Sequence, residues 1–281
     1  MINFPRQRTL LVVLALFVFA TFAVVVTANH SWGGYHWART SNPFTLKLGN
    51  NLSTTNWRSR LTQAANDWNA GNTPVRLTVV TGTAGGSACR MVAGTIQVCN
   101  GAYGSNGWLG LASINLRTGT KHITQGTAKM NDTYFNTATY NNVNERQHVM
   151  CQEVAHCFGL DHQSTSGASL NTCMDYFSNT GANAGSTLST KPNQHDFDQL
   201  NSIYAHLDST STVGMVASFA ATNSDVTDDP ESWGYLKSQS KNGRSSVYER
   251  YNRDGSTTLT HVFWTEEVAA RNPFADHRFD R

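Results

Sequence analysis

Apolar and polar positions follow strand-like and helix-like periods along most of the chain. Residues 44–48 alternate with a period of two, which predicts a strand. Residues 55–70 repeat apolar side chains such as Trp57 and Trp68 at helical spacing, which predicts a helix that packs on a sheet. The β-branched run at residues 75–81 predicts a further, buried strand.

The pattern continues with three strands and a long helix. Strands are predicted at residues 95–99, 109–116 and 122–129, with glycine-rich turns between them. A helix is predicted at residues 143–158, for which Asn142 is a suitable N-cap. The succession of strand, helix, four strands and helix predicts an α+β fold.

The C-terminal third of the chain combines one amphipathic helix, a polar stretch and several short apolar runs. An amphipathic helix that contains Leu200 and Ile203 is followed by a polar and acidic stretch at residues 209–232, which predicts a linker. After it, short apolar runs with turn signals predict a β-rich extension. We therefore divide the mature chain into a domain at residues 29–208, this linker, and an extension at residues 233–281 that we expect to pack on the domain.

The first 28 residues form a segment of their own. Arg6 and Arg8 precede an apolar run at residues 10–26, and small residues up to Ala28 make an acceptable cleavage site, which predicts a secretory signal peptide. The alternative is an uncleaved membrane anchor, because the run approaches the roughly 20 residues that span a bilayer. We favour cleavage, which predicts a secreted, extracellular protein with no membrane partner.

Composition and charge narrow the choice of partners. The 281 residues include 21 basic and 19 acidic ones. Cleavage after residue 28 would remove two arginines and no acidic residue, which leaves 19 of each sign. A chain without net formal charge has no basic field for nucleic acid or for an anionic membrane. We expect neither as a partner, and we expect a monomer.

The candidate metal-binding and catalytic residues are concentrated at residues 152–162, QEVAHCFGLDH. Gln152 and His156 stand four positions apart in the predicted helix, so both side chains leave the same face and can reach one ion. Gly159 can end the helix in the left-handed conformation and turn the chain back. His162 could then approach the same ion.

This segment resembles the metzincin zinc peptidases, and within them the matrixin-like branch, whose signature is H-E-x-x-H-x-x-G-x-x-H followed by a methionine turn. Glu153, His156, Gly159 and His162 match the signature position by position, and Gln152 stands at its first histidine. The later segment TCMDY matches the methionine turn. The resemblance implies a twisted, mainly parallel five-stranded sheet, two long helices, and a small C-terminal subdomain after the active-site helix.

The resemblance also implies a zinc-dependent endopeptidase. Zinc would be held by His156, His162 and Gln152, whose amide oxygen is a weaker donor than an imidazole, so zinc binding would be weaker or water would replace this ligand. Glu153 would be the general base that takes a proton from the attacking water. Tyr176 matches the tyrosine that astacins and serralysins have beside the metal, where matrixins usually have none, and it would hydrogen-bond the oxyanion.

Further implications concern the substrate and its access to the site. The expected partner is a peptide or protein substrate, bound as an added strand along residues 107–114, although these residues could also form an ordinary strand. Met174 would pack beneath the zinc without binding it. No cysteine-switch motif precedes the domain, so we expect full activity directly after signal removal.

Five cysteines in an exported chain imply disulfides and one remaining thiol. Cys89 and Cys99 bracket a short segment, as in a bridged hairpin. Cys151 and Cys157 lie six apart on the predicted helix and point to different faces, so we do not expect them to pair. We expect a Cys151–Cys173 disulfide and a free Cys157, although sequence alone leaves the connectivity open.

Several other histidines are expected to pack or to lie on the surface, and not to bind metal: His30, His36, His148, His195 and His206. His148 lies about 12 Å along the helix from His156, too far for both to reach one ion. The stretch between Ser113 and Asp132 lacks the His- and Asp-rich pattern of matrixin structural metal sites. We therefore expect a single zinc site.

Two alternatives to the peptidase stay open at this point. Gln152 could mark a catalytically inactive, metzincin-like secreted binding module that holds a partner in its cleft or with its C-terminal strands. A wall-associated carbohydrate-binding protein is also possible, but it rests only on aromatic residues in the C-terminal strands. Zinc content and hydrolysis of unfolded protein discriminate among the three.

Overall fold

The computed structural model describes residues 30–216 and 228–279, so the predicted signal peptide and the centre of the predicted linker lie outside the described residues. The α+β class is confirmed. The strands are β1 (His36–Trp37), β2 (Phe44–Asn51), β3 (Val75–Thr81), β4 (Ile96–Gly101), β5 (Trp108–Leu116), β6 (His122–Asn131), β7 (Tyr235–Gln239), β8 (Ser245–Tyr251) and β9 (Thr257–Trp264). The α-helices are α1 (Thr55–Asn69), α2 (Asp132–Phe135), α3 (Val143–His156), α4 (Gln194–Ile203) and α5 (Glu266–Arg271).

All of these strands belong to one mixed sheet. Hydrogen bonds order eight of them as β3-β2-β4-β6-β5-β9-β8-β7, and β1 pairs with the start of β6. The pairs β2–β3, β2–β4 and β4–β6 are parallel, whereas β5 is antiparallel to β6 and β9. Strands β2 to β6 thus form a mainly parallel half, and the extension continues the same sheet instead of forming a separate layer.

Helices α1 and α3 pack together beside the mainly parallel half of the sheet. Thr54 caps α1, and the apolar side of this helix, including Leu61 and Trp68, is buried. The indole Nε1 of Trp68 donates to the Cys151 carbonyl in α3, at 3.3 Å. Helix α3 also contacts β5 and β6, and its side chains from Glu145 onward are buried. This burial places the QEVAHCFGLDH segment in the interior.

Two disulfides fix segments around α3 and β4. Cys89 is bonded to Cys99, and Cys151 in α3 is bonded to Cys173, while Cys157 is a free, buried thiol. The predicted pairing is therefore confirmed. The Cys151–Cys173 bond holds α3 against the segment around Met174.

The extension joins the domain through strand β9. Residues 257–264 pair with residues 108–116 of β5, with His261 opposite Ala112. One face of β9 presents Leu259 and Phe263 to the main core. Unpaired strand edges expose backbone donors and acceptors, so this pairing satisfies an edge of β5 that would otherwise be open. The segment predicted as a substrate-binding edge is therefore an internal strand in this structure.

A second apolar cluster fills the other face of the β5–β9 junction. It consists of Met91, Trp108, Leu111, Trp233, Tyr248, Val262 and Trp264. Its members come from the domain and from the extension, so the two share one core. No helix within residues 30–216 or 228–279 is long and apolar enough to cross a membrane.

We expect Trp264→Ala to lower the free energy of unfolding by about 3–5 kcal/mol, because a large buried aromatic leaves a cavity when it is truncated. Trp264 is fully buried, and its Nε1 donates to Ser246 Oγ at 2.9 Å. Urea unfolding of the purified protein measures the change. Phe274→Ala is the matched control, because Phe274 is 82% exposed. A loss below about 1 kcal/mol for Trp264→Ala would show that the extension is not part of the cooperative core.

Candidate metal centre

The end of α3 is shaped by a glycine. Helix α3 ends at His156, two residues earlier than predicted, and Gly159 follows with φ +99°. A Cβ at Gly159 would overlap the Tyr35 carbonyl oxygen, so both the backbone conformation and the close contact require glycine. The chain reverses here, and His162 comes back beside His156.

Three imidazoles converge at this reversal. His156 and His162 are joined by His261 from β9, and one ligand atom of each lies within 4.8 Å of the others. The ring centroids are 4.7 Å apart for His156–His162, 3.9 Å for His156–His261 and 4.6 Å for His162–His261. The cluster thus contains two residues predicted as metal ligands and one from the C-terminal extension.

Neighbouring acceptors orient two of the rings. His156 Nδ1 donates to the Leu160 carbonyl at 2.8 Å. His162 Nδ1 lies 2.8 Å from Tyr176 Oη and 3.2 Å from Asp161 Oδ1. A proton on each Nδ1 leaves a lone pair on each Nε2, which is the form that binds a metal.

The ligand nitrogens are buried and lack partners among the described residues. This holds for Nε2 of His156, Nε2 of His162 and both ring nitrogens of His261. Burial and the neighbouring His162 lower the pKa of His156 to about 3, and burial also lowers the pKa values of His162 and His261. All three rings are therefore neutral near pH 7.

A zinc ion fits this donor set. Three neutral imidazole nitrogens match the ligands that zinc prefers. Without an ion, each buried nitrogen that lacks a partner costs free energy. The fit of zinc to this site therefore rests on the chemistry of the three donors and on their buried ligand nitrogens, which lack hydrogen-bond partners among the described residues.

Glu153 lies beside the cluster. Its Oε2 is 3.7 Å from His261 Nδ1, and neither carboxyl oxygen has a hydrogen-bond partner among the described residues. Burial raises the pKa of this carboxyl well above its usual value. Strand β5 makes room for it with Gly110, because a Cβ there would overlap Glu153 Oε1. The general-base role of Glu153 stays a prediction, and its position is suited to that role.

Gln152 binds the methionine-turn segment. Its Nε2 donates to the carbonyls of Cys173 and Asp175, at 2.8 and 2.9 Å, and these two residues flank Met174. Its Oε1 is buried without a partner among the described residues. The structure thus groups three imidazoles without Gln152 among them, and ligation by the Gln152 oxygen stays a prediction.

Tyr176 supports His162 in this structure. Its ring stacks on the His162 ring with centroids 4.2 Å apart. Its hydroxyl contacts His162 Nδ1 and donates to Ser245 Oγ in β8 of the extension. The hydroxyl is therefore engaged between a candidate ligand and the extension, and oxyanion binding by Tyr176 stays a prediction. Met174 is buried in the main core.

His261 is the residue that sequence reasoning missed. It lies in TTLTHVFW, which predicts a strand, but the known signature contains no position so far along the chain. One signal was present: Leu259, His261 and Phe263 alternate on the same face, so a histidine interrupts an otherwise apolar inner face. A polar residue at such a position requires a buried partner.

Comparisons with known proteins assign no family. No family model and no curated protein matches the sequence. Among solved structures, the chain is similar to high choriolytic enzyme 1, a hatching enzyme zinc-protease from Oryzias latipes (medaka fish), with 13% identity, a TM-score of 0.34, and coverage of 60% of this chain and 94% of that one. It is also similar to myroilysin, with 16% identity, a TM-score of 0.25, and coverage of 64% and 78%. Structural similarity with TM-scores of 0.34 and 0.25 establishes neither a fold nor an activity for this chain.

We expect His261→Ala to weaken zinc binding by roughly 100-fold or more, because loss of a direct ligand costs at least as much as loss of a group that supports one. Competition titration against a chelating dye measures the dissociation constant. His195→Ala is the control, because His195 belongs to neither this cluster nor its supporting contacts. An unchanged dissociation constant in His261→Ala, together with weaker binding in Gln152→Ala, would assign the third ligand to Gln152 instead.

Proposed function

We propose that this protein is a secreted zinc-dependent endopeptidase whose C-terminal strands hold it in a closed, latent form. One observation carries the proposal: three neutral, buried imidazoles without hydrogen-bond partners at their ligand nitrogens converge beside a buried carboxylate. Two of these imidazoles and the carboxylate belong to QEVAHCFGLDH. Two disulfides are in keeping with an oxidising, extracellular compartment.

In the closed form, His156, His162 and His261 would hold the zinc ion. In a form that admits substrate, the ion would supply a Lewis acid that polarises a peptide carbonyl and lowers the pKa of water. Glu153 would accept a proton from the attacking water at a carboxylate oxygen and deliver it to the leaving nitrogen. Burial raises the pKa of Glu153 from that of a free carboxyl toward the range in which one group can both accept and release a proton.

In the closed form, β5 has no free edge for an extended substrate. A peptide that adds to β5 would need one free edge, but β5 pairs with β6 on one side and with β9 on the other. The side chains of Glu153 and His156 are also fully buried. Hydrolysis of a peptide or protein substrate therefore requires β9 to leave β5.

Departure of β9 would change the ligand set. It would remove His261 and leave His156 and His162 together with the amide oxygen of Gln152, the set expected from the sequence. The closed form would thus bind zinc more tightly than the open form, because an imidazole is a better zinc donor than an amide oxygen. Latency by this route needs no cysteine switch, and it replaces the expectation of full activity directly after signal removal.

We expect the unmodified protein, saturated with zinc, to hydrolyse a denatured protein substrate slowly. His261→Ala removes the link between β9 and α3, and Trp264→Ala loosens the same strand without altering a candidate ligand. Each change should raise the rate by about tenfold or more, because the open population grows as the docking of β9 weakens. Release of acid-soluble peptides measures the rate.

Two controls accompany this experiment. Phe274→Ala, an exposed position in the extension, should leave the rate unchanged. Glu153→Gln combined with Trp264→Ala should abolish hydrolysis if the activity belongs to this site. An unmodified protein that is fully active, and that loses its activity in His261→Ala, would contradict latency and make His261 a ligand of the working enzyme.

A second candidate is a non-catalytic binding module stabilised by zinc. The observation in its favour is the continuous sheet, in which β9 covers the site and shares a core with β5. This candidate predicts zinc binding with no hydrolysis in the unmodified protein, in His261→Ala or in Trp264→Ala.

A further inference from the structure

A second group of imidazoles converges at the start of β6. His36 in β1 and His122 in β6 are directly paired in the parallel register of these strands. His206 and Asp208 reach the same place from the segment that follows α4. Three segments that are distant in sequence therefore meet through four side chains whose atoms commonly bind metals.

The distances among these side chains suit a tetrahedral ion. Asp208 Oδ1 lies 3.5 Å from His36 Nε2, 3.2 Å from His122 Nε2 and 3.7 Å from His206 Nε2. The Nε2 atoms of His36 and His206 are 3.2 Å apart. Ligand atoms of a tetrahedral zinc with bonds of about 2.0–2.1 Å are separated by about 3.3 Å. Four of the six separations that a tetrahedron requires are thus close to that value, and His36, His122 and Asp208 form a group whose ligand atoms all lie within 4.8 Å of one another.

Supporting contacts orient two of the four side chains, His36 and Asp208. His36 Nδ1 donates to the Gly34 carbonyl at 2.8 Å, which leaves a lone pair on Nε2. The other oxygen of Asp208, Oδ2, accepts from the backbone N–H and the guanidinium of Arg39, at 3.2 and 3.0 Å. Arg39 therefore holds Asp208 Oδ2, and Asp208 Oδ1 faces the three imidazoles.

A divalent cation would satisfy more of these close contacts than hydrogen bonds among the imidazoles and Asp208 would. Neutral imidazoles would satisfy two of the close contacts, with His122 Nε2–H donating to Asp208 Oδ1 and His206 Nε2–H donating to His36 Nε2, whereas a divalent ion at the centre would satisfy all of them. The side chains of His36 and Asp208 are each 8% exposed, that of His122 is 23% exposed, and that of His206 is 52% exposed. The site is thus enclosed on three sides and open at His206, where an ion can enter.

We propose that His36, His122, His206 and Asp208 form a second zinc site with a structural role. Four protein ligands close the coordination shell, which is typical of structural zinc, and three imidazoles with one carboxylate favour zinc over calcium or magnesium. The ion would fasten β1 and the segment after α4 to the start of β6. This inference is independent of the proposed peptidase activity.

The proposal revises two expectations from the sequence. His36 and His206 were expected to pack or to lie on the surface, and a single zinc site was expected. The ligands are spread over residues 36–208, so no local spacing marks them. Strand pairing between β1 and β6 and the path of the chain after α4 bring them together.

Zinc stoichiometry tests the second site. The full-length secreted protein, stripped with a chelator and re-equilibrated with zinc, should contain two zinc ions per chain by elemental analysis. His156→Ala should contain one, and His156→Ala combined with Asp208→Asn should contain none. His195→Ala, the control, should retain two. Retention of the remaining ion in the His156→Ala, Asp208→Asn protein would overturn the proposal.

Thermal unfolding provides a measurement independent of activity. In the His156→Ala background, zinc at a hundredfold excess over its Kd should raise Tm by about 5 °C or more, because it binds only the folded chain. His206→Ala, an exposed change that should not prevent folding, should weaken zinc binding in that background about tenfold or more. Absence of both zinc binding and a Tm shift in His156→Ala would overturn the second site and would leave the first site untouched.

Discussion

Pairing between β5 and β9 is the interaction on which the rest of the candidate site depends. It joins the extension to the domain sheet and places His261 opposite Ala112. It also buries Leu259 and Phe263 against the main core, so the apolar contacts and the backbone ladder reinforce each other. Only in this register does His261 lie on the inner face with His156 and His162, because a shift of one residue would turn it to the opposite face.

Around this junction, α3 is fixed from several directions. The Cys151–Cys173 disulfide and the two hydrogen bonds from Gln152 hold it to the methionine-turn segment. Tyr176 then connects His162 to Ser245 of the extension. The same residues that the sequence suggested for catalysis thus support a closed arrangement. This is the physical basis for proposing latency together with peptidase chemistry.

Much of the domain could be predicted from its sequence, because its elements have clear periods. The strand at Val75–Thr81, the helix α1 and the Cys151–Cys173 disulfide agree with expectation. The extension was predicted to be β-rich, but the sequence could not show that β9 continues the domain sheet. Strands about 150 positions apart along the chain pair because of tertiary structure, and the local alternation of apolar and polar residues does not show which strands pair.

The same limit applies to the candidate metal-binding residues. His156, Gly159 and His162 are recognisable because one helix and one turn position them. His261 and the four residues of the second cluster have no local signature. Their histidines are separated by long stretches of chain, and isolated histidines are more often packed or exposed than bound to metal. Strand register and the path of the chain after α4 show which of them meet.

If zinc fastens β9 to α3 in a closed form, as we propose, amide hydrogen exchange of β9 in the native state should depend on zinc. The exchange rates of the β9 amides would be measured in the full-length protein with and without zinc. We expect zinc to slow exchange in β9 by about tenfold or more, because opening must break the bond to His261. Exchange in β9 that is unchanged by zinc, in a protein that binds the ion at His156, would contradict this proposal.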